Sequence, residues 1–262
     1  MKKKIISISL VFVFLFLGTI LSARAEEASS LSLEEEDTSF EQEIWDPLEP
    51  VNRGIFWFND QAYVYVLRPV SVGYDYMLPQ FAKTGVKNFF RHLMLPIDFV
   101  SNLLQGNFSG AGKSVGRFVI NTTVGLLGTI DVAQDHGLPY QGQDLGLAFA
   151  SWGIPFGPYI VLPLMGPSSL RDALGEGGES FISPLNYPIY YLNSFSSNDE
   201  LYYTGGVYTL KTMDIINRRR DAIDAAKESS LDYYLFVQTS FYQYRTKAIK
   251  GKTDGHSAAE IK

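Results

Sequence analysis

The sequence predicts a mainly α-helical domain, and three observations set its class and its extent. Apolar residues recur at spacings of three and four positions rather than in alternation, which is the period of an α-helix. Two serines are each followed three positions later by an acid, as in a helix-capping box: Ser197 with Glu200, and Ser229 with Asp232. No second linker interrupts residues 45–249, so we expect one domain without internal repeats.

The helical spacing covers six segments along the domain. Proline cannot donate a backbone hydrogen bond inside a helix, and glycine weakens one, so we expect the early segments to stop at such residues. In chain order the segments are residues 51–67, ended by Arg68 and Pro69; 81–93, ended before Pro96; 97–104, ended by Gly106; 111–119; 197–216; and 231–245.

Residues 153–166, GIPFGPYIVLPLMG, form an apolar segment that does not fit a helix. Pro155, Pro158, Pro163 and several glycines interrupt it, and helix interiors do not tolerate these two residue types at that density. We therefore expect short extended pieces or a hairpin. The backbone N–H and C=O groups of an apolar segment without regular structure need other hydrogen-bond partners. Such a segment should therefore be buried in the protein or line a cavity.

The two ends of the chain differ from the domain between them. Residues 1–25 predict a signal peptide, with a basic start, an apolar run and a small-residue cleavage pattern at Ala23-Arg24-Ala25. An uncleaved anchor is the alternative, and either interpretation takes the protein out of the cytoplasm by Sec export. Residues 26–44 predict an acidic disordered linker, and residues 250–262 predict a polar tail.

The composition excludes several classes of protein. The sequence has no cysteine, so it offers no disulfide framework, no thiolate nucleophile or metal ligand and no lipidated cysteine. Removal of the signal peptide takes away four basic residues and no acid, which moves the net charge from −6 to −10. An acidic chain is a poor candidate for nucleic-acid binding, and we interpret the basic runs at residues 218–220 and 247–252 as solvated charge.

Residues 106–116, GNFSGAGKSVG, imitate two enzyme motifs. A phosphate-binding loop requires four residues between its first glycine and the Gly-Lys pair, whereas five residues separate Gly106 from Gly112. A hydrolase nucleophile elbow at Ser114 would require a preceding strand, and the residues before it have helical spacing. We interpret the glycines as a first helical turn that allows close packing, and we predict no catalytic residue.

The sequence also predicts no metal centre and no cofactor. His92, His136 and His256 are far apart in the chain, and no His-Glu-x-x-His pattern is present. Asp131, Asp135 and His136 offer one possible ligand set, but a solvated loop whose acids cap helices is the preferred interpretation.

Aromatic residues make up 14% of the chain, and composition alone leaves two interpretations of them open. In the first, they form the aromatic-rich core of a soluble protein. In the second, they lie on short amphipathic helices in a bilayer interface, where tyrosine and tryptophan place one polar and one apolar end. No segment after residue 25 reaches the roughly 20 uninterrupted apolar residues of a spanning helix.

A motif at the start of the domain, DPLEPVNRGIFWFN, carries a family resemblance. Its defining residues are Asp46, Pro47, Glu49, Asn52, Arg53, Phe58 and Asn59. The similarity continues in order through Arg68-Pro69-Val70, Pro79, residues 85–89, Leu104-Gln105-Gly106, Arg117-Phe118, Asn121-Thr122, residues 125–133, Gly157-Pro158-Tyr159, Leu162-Pro163, Gly166-Pro167-Ser168 and Leu170-Arg171-Asp172. With these motifs the chain resembles the MlaA (VacJ) family over nearly the whole mature domain.

The resemblance implies a phospholipid-trafficking protein of the outer membrane. Members of the family are similar to a ring of helices embedded in the membrane beside a porin trimer, with a central amphipathic channel. Through this channel, mislocalised phospholipid leaves the outer leaflet and passes to a periplasmic carrier protein, which maintains lipid asymmetry. A soluble periplasmic lipid-binding protein is the alternative function, and an enzyme that acts on lipids ranks third.

The resulting hypothesis places the lipid channel or its gate at the Pro/Gly-rich segment and the residues after it. The candidate residues are Gly157, Pro158, Tyr159, Leu162, Pro163, Gly166, Arg171 and Asp172. Arg171 attracts the lipid phosphate in one interpretation and pairs with Asp172 or another acid in the other. Most family members are lipoproteins, but no cysteine is present at the cleavage site. We therefore expect a non-lipidated protein at the periplasmic face of the outer membrane.

Overall fold

The computed structural model describes residues 44–186 and 197–257. The predicted signal peptide, residues 26–43 of the predicted linker and the end of the predicted tail lie outside these described residues. The elements in chain order are α1 (Glu49–Ala62), a π-helical turn (Tyr63–Leu67), α2 (Arg68–Met77), α3 (Gln80–Leu104), α4 (Phe108–Thr123), α5 (Val132–Asp135), α6 (Leu145–Ser151), β1 (Tyr159–Leu162), β2 (Gly166–Ser169), α7 (Leu170–Ile182), α8 (Ser197–Ser229) and α9 (Tyr233–Ser257). The mainly α-helical class is confirmed. Within the described ranges, no helix combines the length with the apolar content that crossing a bilayer requires.

The end of the Pro/Gly-rich segment forms the first strand and the turn of a hairpin, so a hairpin is confirmed, but its second strand starts at the last residue of the segment, Gly166, and continues beyond it. Strands β1 and β2 pair in antiparallel register, from Tyr159 opposite Ser169 to Leu162 opposite Gly166. Leu164 in the turn between them and Gly166 at the start of β2 have positive φ, 59° and 87°. Glycine adopts that conformation without steric cost, so Gly166 suits its position, whereas Leu164 is held there by its surroundings.

The helical segment that begins at Glu49 does not end at Arg68 and Pro69, so this predicted boundary is wrong. Residues Tyr63–Leu67 form a π-helical turn, and the backbone N–H of Arg68 donates to Tyr63 O. Pro69 then occupies the first turn of α2, where a missing N–H leaves no helical hydrogen bond unmade. The π-helical turn therefore lets the helical chain continue across a proline.

Pro96 likewise lies inside a helix, where the sequence predicted a break. A proline in a helix interior costs about 3 kcal/mol or more. On both sides of Pro96, however, α3 packs into the core, and Leu95 and Ile97 are 2% and 4% exposed. Burial of two such side chains stabilises the fold by roughly 1.5–3 kcal/mol each, which offsets that cost. The predicted segments 81–93 and 97–104 are thus one helix.

The second predicted capping box is also wrong in its position. Ser229 is the last residue of α8, and the residue that caps α9 is Asp232, whose Oδ1 accepts from Leu235 N–H at 3.2 Å. Asp232 also pairs with Arg53 at 2.9 Å, and this hydrogen bond lowers the pKa of its carboxyl group. The carboxylate therefore stays ionised at neutral pH, which suits the positive end of a helix.

Two hydrophobic clusters hold the described elements together. The first lies between α3 and α8 and contains Phe90, Met94, Ile97, Leu185 and Tyr208. The second lies between the hairpin and α9 and contains Tyr159, Val161, Tyr234 and Phe241. In the second cluster, the ring centroid of Tyr159 is 6.0 Å from that of Tyr234. Aromatic packing therefore fixes the hairpin against α9.

Residues 106–116 lie at the start of α4 rather than after a strand. Asn107 caps this helix by accepting from Gly110 N–H at 2.9 Å. A side chain at Gly110 would overlap Asn102 of α3, so this glycine allows the two helices to approach closely. Ser114 donates to Gly110 O at 3.1 Å inside the helix. The close-packed first turn is confirmed, and neither enzyme motif has the strand-to-helix turn that it requires.

The loop between α4 and α5 has a strained backbone. Leu126 and Leu127 have positive φ of 50° and 58°, which costs a residue other than glycine roughly 1–2 kcal/mol. The loop rests on His92 of α3, because a side chain at Gly128 would overlap the imidazole ring. His92 Nε2 in turn lies 3.1 Å from Thr122 Oγ1. The loop is therefore supported by a buried histidine.

Acidification should destabilise this region through His92. Burial, with a further contribution from the charge of Arg117, lowers the pKa of His92 in the folded protein, while Asp131 opposes the shift. A lowered pKa means that the folded state binds the proton less readily than the unfolded state. The stability that neutral His92 contributes to the folded protein is therefore complete above the unfolded pKa of about 6.5 and is lost as the pH falls below it.

Urea unfolding at about pH 7.5 and about pH 5.5, on either side of that pKa, measures this dependence. The His92→Gln variant keeps a hydrogen-bonding group beside Thr122 but cannot be protonated in this range. We expect it to lose less stability between the two pH values than the native protein. Equal losses in the two proteins would show that other groups set the pH dependence.

Candidate functional site

Two asparagines of the opening motif fix α1 to the hairpin. Asn52 Nδ2 donates to Tyr159 O at 3.0 Å, and Asn52 Oδ1 accepts from Val161 N–H at 2.9 Å. Two helical turns later, Asn59 makes the same pair of contacts with the backbone of the turn, donating to Leu162 O at 2.9 Å. Each amide thus replaces the neighbouring strand that this edge of the hairpin lacks.

Asp46 joins the segment before α1 to α9. Its carboxylate accepts hydrogen bonds from Asn52 at 2.7 Å, from Gln238 at 2.9 Å and from the hydroxyl of Tyr234. Burial and the hydrogen bond to Asp46 raise the pKa of Tyr234, which keeps this hydroxyl a donor. Together these contacts hold α1, the hairpin and α9 as one fixed unit.

The remaining motif residues complete this attachment or face solvent. Arg53 pairs with Glu49 at 2.8 Å on α1 and with Asp232 at 2.9 Å at the start of α9. Pro47 lies in the turn before α1, and Phe58 is half exposed. The polar residues of the motif therefore make structural contacts, which position the elements around an adjacent cavity.

This cavity has a volume of about 340 Å³ and lies between α1, the hairpin turn, α8 and α9. Most of its wall is apolar or aromatic. Residues that form this wall include Phe56, Leu67, Met165, Ile223, Phe236 and Tyr244. A wall of this kind suits the hydrocarbon part of an amphipathic molecule.

A smaller set of polar groups lies in the same wall. Arg219 and Asp60 supply one positive and one negative charge, and Asp60 pairs with Lys227. Burial raises the pKa of Tyr233 to about 12, so its hydroxyl stays neutral at physiological pH. Ser240 adds another hydroxyl. The cavity therefore places groups that suit a charged head beside a surface that suits an apolar chain.

One of the predicted channel residues, Gly166 at the start of β2, lines the cavity, next to Met165 of the turn and Pro167 of β2. Tyr159 is fully buried in the aromatic cluster with α9. The other hairpin residues lie before β1, within it or at the start of the turn: Gly157, Pro158, Leu162 and Pro163. The hairpin thus brings its turn to the cavity and keeps its first strand in the core.

Arg171 and Asp172 lie in a buried charge network between α6, α7 and α9. Arg171 Nε donates to Asp172 Oδ1 at 3.0 Å, and its guanidinium lies 4.2 Å from the ring centroid of Phe156. Arg245 joins the network, donating to Asp172 Oδ1 at 2.8 Å and to Asp144 Oδ2 at 2.6 Å. Of the two interpretations that the sequence left open for Arg171, the structure contains the pairing with Asp172.

Because Arg171 is buried, a substitution of this residue reports on folding rather than on the binding of a ligand. Its side chain is buried, and desolvation lowers the pKa of the guanidinium. An Arg171→Glu substitution would place a second carboxylate beside Asp172 and would disturb folding before it affected a lipid. Residues of the cavity wall, unlike Arg171, can be substituted without disturbing this charge network.

A comparison with protein families covers this whole region. The family model described as MlaA lipoprotein matches residues 44–248, which contain the opening motif, the hairpin, the charge network and most of α9. The chain belongs to the MlaA lipoprotein family. The resemblance inferred from the motifs is confirmed.

Relatives in the MlaA family cover most of the chain. An uncharacterized protein of Rickettsia bellii is 33% identical over 214 residues, which are 80% of this chain and 78% of the relative. The intermembrane phospholipid transport system lipoprotein MlaA of Escherichia coli is 30% identical over 202 residues, 76% of each chain. A solved structure, from work on the structural basis for maintenance of bacterial outer membrane lipid asymmetry, matches with a TM-score of 0.65 and 28% identity. This match covers 78% of this chain and 98% of that one.

In this MlaA family member, α8 and α9 form part of the cavity wall, and the sequence pattern did not reveal this. Ile216, Arg219 and Ile223 follow the helical period on α8, and Phe236 and Tyr244 lie on α9. The period marks one face of each helix, but it does not tell whether that face meets the core or a cavity. Arg219, which was interpreted as solvated helix charge, is partly exposed and lies in the cavity wall.

The loop predicted to contain capping acids has that role. Asp131 caps α5 by accepting from Gln134 N–H at 3.3 Å, and it pairs with Arg117 at 2.8 Å. His136 Nδ1 lies 2.9 Å from Val132 O. These contacts confirm the capping interpretation for Asp131.

Proposed function

We propose that this protein removes mislocalised phospholipid from the outer leaflet of the outer membrane and passes it to a periplasmic carrier, which maintains lipid asymmetry. The observation that carries the proposal is the cavity between the hairpin turn, α8 and α9, with its apolar wall and its few polar groups. Family membership supports it, since the Escherichia coli relative is named as a lipoprotein of the intermembrane phospholipid transport system.

Such a cavity lowers the main barrier to lipid transfer. Exposure of about 30 methylene groups of two acyl chains to water costs on the order of 20 kcal/mol, at about 0.8 kcal/mol each. An apolar wall replaces water around the chains while the lipid moves, so this step needs no nucleotide hydrolysis. The protein then provides a path rather than a chemical reaction.

Separate parts of the wall suit separate parts of the lipid. In our proposal, Phe236 and Met165 contact the acyl chains, and Arg219 binds the phosphate. We place the gate at the hairpin turn, because the turn lies in the cavity wall and its backbone is strained at Leu164, while Asn59 holds it in the position described here. The other predicted channel residues support this gate from the core.

The exposed surface favours a membrane-embedded protein over a soluble lipid carrier. Large apolar side chains are exposed on several helices, among them Trp57, Tyr65, Tyr76, Phe81 and Phe108. A surface of this kind suits a bilayer interface, where aromatic rings have one polar and one apolar side. We therefore propose a ring of helices around a channel in the outer membrane, beside a porin trimer, with the periplasmic carrier as recipient of the lipid.

Attachment to the membrane without a lipid anchor is part of this proposal. The sequence contains no cysteine, whereas the Escherichia coli relative is named as a lipoprotein. The exposed apolar surface and the porin contact then hold the protein at the membrane. Detergent dependence of the purified protein separates this proposal from the soluble alternative, because a soluble carrier needs no detergent.

Two neighbouring residues of α9 provide a matched test of the cavity. Phe236 lines the cavity and Leu235 lies outside it, yet the two residues are 45% and 46% exposed. Phe236→Asp places a charge in the apolar wall, and we expect it to slow lipid transport by about tenfold or more. Leu235→Asp should leave transport close to native.

Both variants are compared in a strain that lacks the native gene, with surface-exposed phospholipid as the readout. Accumulation with Phe236→Asp but not with Leu235→Asp would support transport through the cavity. Normal surface lipid with both variants, at equal protein levels, would contradict it. Equal accumulation with both variants would indicate a defect that does not depend on the cavity.

A further inference from the structure

The loop between α4 and α5 carries a surface that the cavity does not use. Residues 124–130, which we term the apolar tip, expose Val124, Leu126, Leu127 and Ile130 by 50% to 66%. We infer that the apolar tip inserts into the acyl-chain layer of a lipid bilayer. The inference rests on the membrane location in the proposed function, and it names an element that enters the membrane.

The backbone of the apolar tip presents two leucines in an unfavourable conformation. Leu126 and Leu127 have positive φ, at positions where glycine or asparagine is the usual residue. Two glycines fix the turn around them, since a side chain at Gly125 would overlap Ile130 O and one at Gly128 would overlap an imidazole ring of α3. A strained backbone that carries leucine at both positions indicates a use for their exposed apolar side chains.

The polar groups in and beside the apolar tip bond to the backbone of the tip and of the end of α4, which precedes it. The threonine hydroxyls in and beside it donate to carbonyl groups three or four residues earlier: Thr122 to Phe118 O at 2.5 Å, Thr123 to Val119 O at 2.8 Å and Thr129 to Leu126 O at 3.0 Å. Several backbone N–H groups of the tip donate to carbonyl groups of residues 120–125: those of Val124, Gly125, Leu127, Gly128 and Ile130. Because hydrocarbon offers no water to bond with, this internal pairing is what insertion requires.

The surface of the apolar tip is uncharged, which suits an uncharged occupant. Residues 118–130 contain no charged side chain. The flanking charges, Arg117 and Asp131, pair with each other at 2.8 Å and are 5% and 12% exposed, so they contribute little to the surface. A protein interface usually contains about one hydrogen bond per 100–200 Å², and the hydroxyl groups here are already paired. Hydrocarbon therefore fits the apolar tip better than a protein partner does.

Labelling at one position can test the insertion, because the native sequence has no cysteine to compete for the label. Leu127→Cys carries an environment-sensitive fluorophore on the apolar tip. Leu231→Cys is the matched control, since this leucine between α8 and α9 is fully exposed and has charged neighbours at Glu228 and Asp232. Both proteins are added to phosphatidylethanolamine–phosphatidylglycerol vesicles with nitroxide quenchers on the acyl chains.

We expect the nitroxides to quench the label at position 127 and to leave the label at position 231 unchanged. Vesicle binding without quenching at position 127 would overturn the inference and leave the proposed function in place. Equal quenching at both positions would also overturn it, as would a label at position 127 that leaves water only when a second protein is added. A protein that does not bind the vesicles contradicts the membrane location, and the inference with it.

A double variant tests the contribution of the two leucines without straining the loop. Asparagine tolerates the left-handed backbone, so Leu126→Asn with Leu127→Asn should fold like the native protein. Its partition into the same vesicles should fall by about tenfold or more, because two inserted apolar side chains are lost. Leu231→Asn should partition like the native protein. Unchanged partition of the double variant would overturn the inference.

Discussion

Replacing Arg245 with methionine should lower the free energy of unfolding by about 3–5 kcal/mol. Arg245 is 1% exposed and contacts two carboxylates, Asp144 Oδ2 at 2.6 Å and Asp172 Oδ1 at 2.8 Å. Burial alone lowers the pKa of Arg245, but the two carboxylates raise it above its ordinary value, so the cation is strongly favoured. Without the guanidinium, the two buried carboxylates have less positive charge to balance them.

Urea unfolding of the native protein and of Arg245→Met measures this loss. Arg68→Met is the control, because Arg68 pairs with Asp224 at 2.8 Å but its side chain is 50% exposed. Exposed pairs contribute little to stability, so this variant should unfold close to the native protein. Equal losses in the two variants would contradict the role that burial has in the Arg245 network.

Replacing Asn52 with leucine should lower the free energy of unfolding by about 3 kcal/mol. The buried amide of Asn52 satisfies Tyr159 O and Val161 N–H of β1 at the same time. Leucine has a similar volume but no polar atom, so two buried backbone groups lose a partner. Hydrogen exchange at the Val161 amide, which reports this contact directly, should become faster.

Asn88→Leu is the control for this substitution. Asn88 is partly buried on α3, and its Nδ2 donates to Thr129 O at 3.2 Å, far from the hairpin in the chain. Its replacement should cost about 1 kcal/mol and leave exchange at Val161 unchanged. A native exchange rate at Val161 in Asn52→Leu would show that aromatic packing holds the hairpin without the asparagine.

Most of the fold could be predicted because its signals are local. The spacing in residues 81–93 depends only on neighbours along the chain, and Pro158 and Pro163 exclude a helix where the hairpin forms. Pro96 was predicted wrongly because its tolerance depends on the burial of Leu95 and Ile97 by other elements. Periodicity and propensity carry no information about such distant contacts.

The candidate site was less predictable because contacts between distant segments build it. The opening motif identified Asn52, but not that its amide bonds to Tyr159, 107 residues later. Arg171 has the same local sequence whether it binds a phosphate or an acid, and its place beside Asp172 and Arg245 decides between them. A sequence shows where the charges are, whereas the packing of helices determines which of them are buried.

The buried charge network also sets an order of events in folding. Arg245 lies 101 residues after Asp144 and 73 residues after Asp172. A chain that is synthesised from its N-terminus presents both aspartates long before the arginine. Until α9 packs, these carboxylates lack the charge of Arg245, so the packing of α6 and α7 around them is less stable than in the complete domain. The last helix therefore completes the domain, and the cavity takes its final form only when α9 packs against the rest of the chain.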